Sequence, residues 1–204
     1  MTNLRSVNLR EQKKLETREA ISDAATRLFV EQGFEKTTIT EIAQAARVSK
    51  MTVTNYFARK EDMALDHHEQ FVAGLAATAA ARGEGETVFA ALRRSLLEGV
   101  AAQDPIIGFA GQEFSRMIAE SPTLVARLRD LHEQREEALA WEFGELDDVM
   151  ARAVAAQLAG AHRVIFAEVQ RRTLAGESNA EIAAAVSGDA RRVFDLLEPS
   201  VGRF

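Results

Sequence analysis

The sequence contains no cysteine. Disulfides, thiolate metal sites and a cysteine nucleophile are therefore excluded, and a reducing compartment is compatible with the composition. Three prolines in 204 residues and few β-branched runs leave little to interrupt helices and little to favour strands. The opening stretch MTNLRSVNLREQKKLE lacks the apolar core of a secretory signal. No run approaches the roughly 20 apolar residues of a membrane span. We therefore expect a cytoplasmic protein with no membrane partner. The motifs of common enzymes are missing too: there is no G-x-S-x-G, no H-E-x-x-H and no P-loop. Gly83-x-Gly85 lacks both a third glycine and a preceding strand. Neither enzymatic activity nor a cofactor is expected.

What is present describes a folded chain: 47% hydrophobic and 27% charged residues suit a globular protein. The net charge of −6 is unevenly spread. Residues 1–60 hold 11 Lys/Arg against 7 Asp/Glu, or +4, and residues 61–204 hold 14 against 24, or −10. All five lysines (Lys13, Lys14, Lys36, Lys50, Lys60) lie in the first part. A basic end on an acidic body suits contact with a polyanion, although a solvated surface has the same composition.

Apolar residues recur with a 3.6-residue period almost throughout, which predicts an all-α fold of about nine helices. The first runs from Leu9 to Gln32, with Ile21, Ala24, Ala25, Leu28 and Phe29 as its apolar stripe, and Gly33 ends it. Thr38 and Glu41 have capping-box spacing, so a short helix follows to Ala46. Ser49 caps the next, which ends near Phe57. Further helices are predicted over Lys60–Arg82, Glu86–Ala101, Pro105–Glu120, Pro122–Phe143, Asp148–Ala175 and Asn179–Leu197. Asp104-Pro105 and Ser121-Pro122 place a good N-cap before proline, and Ser178 with Glu181 is a second capping box.

The two short helices, Thr38–Ala46 and Ser49–Phe57, fit a helix-turn-helix. Ile42 with Ala46, and Val53 with Phe57, are inward i, i+4 pairs. Val48 plugs the turn, and Ala43 is small where the helices cross. The second helix is otherwise polar. Hydroxyls, lysines and helix N-terminal amides hold phosphate oxygens, and residues near the helix start reach base edges in the major groove. Thr38, Thr40, Arg47, Ser49, Lys50, Met51, Thr52, Thr54, Asn55, Tyr56 and Lys60 are the candidate DNA-contacting residues. Lys50 suits guanine and Asn55 suits adenine. Met51 and Thr54 offer methyl contacts to thymine, and Tyr56 and Lys60 suit phosphate. A plain three-helix bundle has the same apolar spacing.

The pattern RxxIxxAAxxLFxxxGFxxTTIxxIAxxAxVSKxTxxNYFxxKED, from Arg18 to Asp62, resembles the DNA-binding domain of the TetR family of bacterial repressors. The resemblance implies an all-helical homodimer. Residues 1–60 would form its DNA-binding domain, and residues 61–204 a helical domain for a small ligand and for dimerisation. It places Thr52, Tyr56 and Lys60 at phosphate-contact positions. Thr40, Lys50, Met51 and Thr54 fall near base edges, and Asn55 at a position that touches backbone or base. One residue departs from the pattern: Arg47 stands in the turn where the family most often has glycine. A non-glycine residue there costs on the order of 1 kcal/mol if the turn is left-handed.

Residues 61–204 resemble the family in style, with alanine-rich helices of similar number. The segment Glu113–Gly176 bears a faint likeness to mycofactocin-type regulators. Candidate walls of an effector pocket are Phe89, Leu92, Leu96, Phe109, Phe114, Met117, Leu128, Trp141, Phe143 and Phe166, with Gln112, Glu113, Arg116, His132 and His162 as its polar groups. Large apolar residues at helical spacing serve equally as plain core. His132 and Glu136 stand i, i+4, a spacing that can hold a metal, but no third ligand accompanies them and no metal site is expected. In the family the last two helices form a four-helix dimer bundle, and Ala159, Gly160 and Ala183–Ala185 would allow close approach. The resemblance thus implies a repressor on a near-palindromic operator, released by a small apolar or amphipathic effector. A DNA-binding regulator without a small-molecule ligand and an all-helical enzyme remain the alternatives.

Overall fold

The computed structural model describes the backbone of residues 3–204 and the side chains from residue 11 onward. The first two residues of the predicted 1–60 domain lie outside the described residues. The fold is all-α, with ten α-helices and two short 3-10 turns among the described residues. They are α1 (Asn3–Gln32), α2 (Ile39–Ala45), α3 (Lys50–Tyr56), α4 (Glu61–Ala64), α5 (His68–Ala80), α6 (Val88–Ala102), α7 (Gln112–Glu120), α8 (Pro122–Ala140), α9 (Asp148–Leu174) and α10 (Asn179–Val201). The chain divides into two compact units. One comprises the residues up to Asp66 together with Ala119–Leu124, and the other His67–Ile118 with Val125–Phe204.

In the first unit α1 packs against α2 and α4, and α2 against α3. Ile21, Ala25, Phe29, Ile42, Val53 and Met63 make its core, each almost wholly removed from solvent. Each of these side chains except Ala25 contributes about 1.5–3 kcal/mol by burial. The Thr38 hydroxyl accepts from the Glu41 N–H, and the Glu41 carboxylate accepts from the Thr38 N–H at 2.8 Å, completing the capping box. The Ser49 hydroxyl accepts from the Thr52 N–H at 3.0 Å.

The continuous helix expected over Lys60–Arg82 is instead α4 and α5, separated at Leu65–His67. The apolar period runs unbroken through this stretch, so periodicity alone does not reveal the break. Tertiary bonds hold it open: the Ser22 hydroxyl donates to the Asp66 carboxylate at 2.7 Å, and Arg18 donates to the Asp66 carbonyl at 3.4 Å. The Ala119–Leu124 segment, where α7 gives way to α8, is tied into the same unit. There the Ser121 hydroxyl donates to Glu35 at 2.6 Å and accepts from the Leu124 N–H at 3.1 Å.

In the second unit α6, α9 and α10 pack on one another around Leu92, Leu96, Leu158, Ile165, Val186 and Phe194. The helix expected over Pro105–Glu120 is shortened to a 3-10 turn at Pro105–Ile107 followed by α7. Gly108, at φ +114°, lies so close to Val169 and the Phe166 carbonyl that a Cβ would stand 3.2–3.3 Å from them. Glycine is the residue that permits both the left-handed backbone and the close approach. Its carbonyl accepts from Gln170 at 2.7 Å. α10 runs past the predicted Leu197 to Val201, with Pro199 inside it.

Candidate functional site

The α2–α3 turn sets the orientation of the short polar helix. Arg47 has φ +56°. Its N–H bonds the Gln44 carbonyl at 3.2 Å, and the Val48 N–H bonds the Ala43 carbonyl at 2.9 Å. These two bonds form the Schellman helix end, with arginine in the left-handed position that glycine usually takes. Only Val53 of the seven α3 residues is buried. Lys50, Met51, Thr54 and Asn55 are exposed, Met51 to 69%, while Thr52 and Tyr56 are half-buried. Thr38, Thr40, Arg47 and Ser49 are exposed as well. A methionine left this open gains nothing from the core, and its methyl is free for apolar contact with a partner.

The C-terminal end of α3 is held by a residue that the sequence reading left without a role. Arg18 donates to the Tyr56 carbonyl at 3.3 Å, and its guanidinium lies 4.4 Å above the Phe57 ring. The available signal was a lone cation before an apolar stripe; its partners, 38 and 48 residues away, became visible only on folding.

Lys60, expected at phosphate, is engaged inward. Its Nζ donates to the carbonyls of Phe34 at 2.8 Å and Thr37 at 3.1 Å, and stands 4.2 Å from the centre of the Phe34 ring. An ammonium has three protons, and two of them here hold the α1–α2 turn. The geometry assigns Lys60 to positioning that turn, because carbonyls left unsatisfied there cost more than an exposed cation gains.

The residues expected around an effector separate into groups. Phe89, Leu92 and Leu96 are buried on α6, and Phe89 meets Phe194 edge-on at 5.3 Å. His162 is buried beside Phe194, with ring centres 5.9 Å apart. Burial, and then the charge of Arg135, holds its pKa well below the ordinary histidine value. His132 and Phe166 meet Phe71 in a three-ring cluster with centres 5.0, 5.4 and 6.0 Å apart. Burial, with the charges of Arg135 and Arg163, lowers the His132 pKa to about 4. Phe109 and Met117 are buried and Leu128 half-buried.

Gln112, Glu113 and Arg116 are exposed on α7, and Trp141 is 80% exposed. The structure does not bring these four into the interior: α7 is short enough to turn its polar face outward, and the chain turns in 3-10 form at Trp141–Phe143. His132 and Glu136 share a cleft on α8. Among the described residues no three His, Asp or Glu groups converge as metal ligands.

Residues 21–66 match the model of bacterial regulatory proteins of the tetR family, the stretch that holds the capping box, the turn and α3. Over that stretch the chain is similar to the regulators of the tetR family. It is 32% identical over 143 residues to the HTH-type transcriptional regulator TcmR of Streptomyces glaucescens, a match covering 65% of this chain and 61% of TcmR. Over 62 residues it is 44% identical to the HTH-type transcriptional regulator HbdR of Aromatoleum sp. (strain CIB), covering 27% of each. The chain thus spans less than two thirds of either relative. Among solved structures, NalD of Pseudomonas aeruginosa, a repressor of the MexAB-OprM multidrug efflux pump, superposes with a TM-score of 0.56 at 19% identity, covering 87% of this chain and 96% of NalD. Salmonella enterica GusR gives 0.52 at 18%, covering 89% of this chain and 96% of GusR. At such identities these neighbours establish the fold alone: the helical architecture they share with this chain extends well beyond the matched stretch. No helix among the described residues is long and apolar enough to cross a membrane.

Proposed function

We propose that this protein is a cytoplasmic, homodimeric transcriptional repressor of the tetR family that binds a near-palindromic operator and is released by a small ligand held in its second unit. The observation that carries the reading is α3, which gives one side chain, Val53, to the core and leaves its polar residues outward. Lys50, Met51, Thr54 and Asn55 are assigned to base edges. Thr38, Thr40, Arg47, Ser49, Thr52 and Tyr56 are assigned to the backbone, with helix N-terminal amides beside them. A two-fold dimer presents two such helices about one DNA turn apart, roughly 34–36 Å.

Release requires a ligand that binds the non-operator dimer geometry more tightly than the operator-bound one. The supporting feature is connectivity. The chain joining α7 to α8 belongs to the first unit through Ser121 and Leu124, while both helices otherwise lie in the second. A change in α7 or α8 is thereby covalently linked to the DNA-binding unit. The 1–60 and 61–204 division names the two roles.

Mobility shift with the DNA upstream of its own gene tests the reading. Lys50→Ala combined with Tyr56→Ala is expected to weaken binding at least about 10-fold, as loss of a base contact and a phosphate contact implies. Undiminished binding by this double variant would remove α3 as the reading helix.

A further inference from the structure

Arg135, on α8, is only 4% exposed. Among the described residues no carboxylate pairs with it, and its Nε has no hydrogen-bond partner. Its recorded contact is with the Phe71 ring, 4.5 Å from the guanidinium carbon to the ring centre. Burial alone lowers its pKa to about 10, so it remains a cation at neutral pH. A buried, unpaired cation is costly, and proteins ordinarily pair such a group.

Arg135 opens onto a cleft of about 350 Å³ between α8 and α9. Arg129, Arg163 and His132 line it, with Glu133 and Glu136. With His132 neutral, three arginines against two glutamates leave a net charge of +1. One bound monoanion neutralises that lining and supplies the missing partner of Arg135. Of the Phe71, His132 and Phe166 ring cluster, His132 lines the cleft together with Ala159, a small apolar wall that suits an organic body and adds nothing for an inorganic ion.

We propose that this cleft is a binding site for a small organic carboxylate, with Arg135 as the buried clamp and Arg163 as the cation at its mouth. Arginine matches a carboxylate through two parallel N–H donors, and the low-dielectric setting strengthens the pair. The proposal deepens the effector reading above by naming the chemical class of ligand, and it rests on that reading for its regulatory meaning.

The test uses the full chain with benzoate, octanoate, inorganic phosphate and methyl benzoate as probes, read by calorimetry and thermal shift. Benzoate or octanoate is expected to bind and raise Tm; methyl benzoate, which lacks the charge, and phosphate, which lacks the apolar body, are expected to bind at least about 10-fold more weakly. Arg135→Met and the exposed Arg163→Gln are expected to lose about 10- to 100-fold and a smaller factor respectively, as removal of a charged hydrogen-bond partner does. Arg191→Met, which removes one positive charge elsewhere, keeps the wild-type response. No binding of either carboxylate, or equal binding by wild type and both cleft variants, overturns the site. Phosphate binding as tightly as the carboxylates overturns the organic class. Mobility shift in the presence of the bound carboxylate separates the two readings. Binding without operator release leaves the site standing and removes its effector role. Release that survives Arg135→Met and Arg163→Gln leaves the effector reading standing and removes this site.

Discussion

Arg47 joins backbone geometry to a proposed DNA contact. At φ +56° it occupies a conformation that costs an L-residue on the order of 1 kcal/mol relative to glycine. Arg47→Gly is therefore expected to stabilise the protein by about 0.5–1 kcal/mol, less what glycine adds to unfolded-state entropy. The same change removes a cation from the proposed backbone contacts and is expected to reduce the salt dependence of operator binding by about one phosphate. Urea denaturation and salt-titrated mobility shift read the two effects. A less stable variant with an unchanged salt slope would show that the arginine serves the fold and not the DNA. The strained position was legible in the sequence as the missing glycine of the turn. Lys60 was not legible in the same way: a lysine after a polar helix reads as a phosphate ligand, but its Nζ donates to the carbonyls of Phe34 and Thr37, groups more than 20 residues away. Nothing in the sequence distinguishes Arg135 from the other charges of α8; only its burial sets it apart.

Helical elements were largely legible because their caps are local. Thr38, Ser49 and Ser178 each cap the helix that the sequence reading assigned to them. The misses came where the decisive contact is distant: Asp66 bound by Ser22 and Arg18 divides α4 from α5, and Gly108 against α9 delays α7. The long α9 and α10 carry the dimerisation proposal. Val164 is 56% and Leu196 79% exposed, and they face the same surface groove with Val193, rimmed by the Glu168–Arg171 and Asp189–Arg192 ion pairs. An apolar strip with a charged rim suits a self-complementary helical interface. Val164→Glu with Leu196→Glu is expected to convert the protein to monomers in sedimentation and to weaken operator binding about 10²-fold or more through loss of the second half-site contact. A double variant that stays dimeric would move the interface elsewhere.

For the whole molecule, buried histidines make stability depend on acidity. His132 has its pKa lowered to about 4, and His162 is also pushed down by burial. Their unfolded values lie near 6.5. The unfolded chain then binds more protons than the folded one below that value, so stability is lost as the pH is lowered. It is expected to be level above about pH 7 and to decline from about 6.5 toward 4; His162→Leu should flatten the decline in a Tm series. Glu168, held at about 2 by its arginine partners, loses its contribution only at lower pH. A profile unchanged by the substitution would show that His162 does not titrate on unfolding. What the sequence by itself determined was the all-α class, the capped helix starts, the helix-turn-helix and the separation of a basic end from an acidic body, because all of these follow from period, local hydrogen bonding and composition. Tertiary structure alone decided which cations are spent on carbonyls, where α4 and α5 part, and which arginine lies buried without a counter-ion, because each depends on groups brought together from distant parts of the chain.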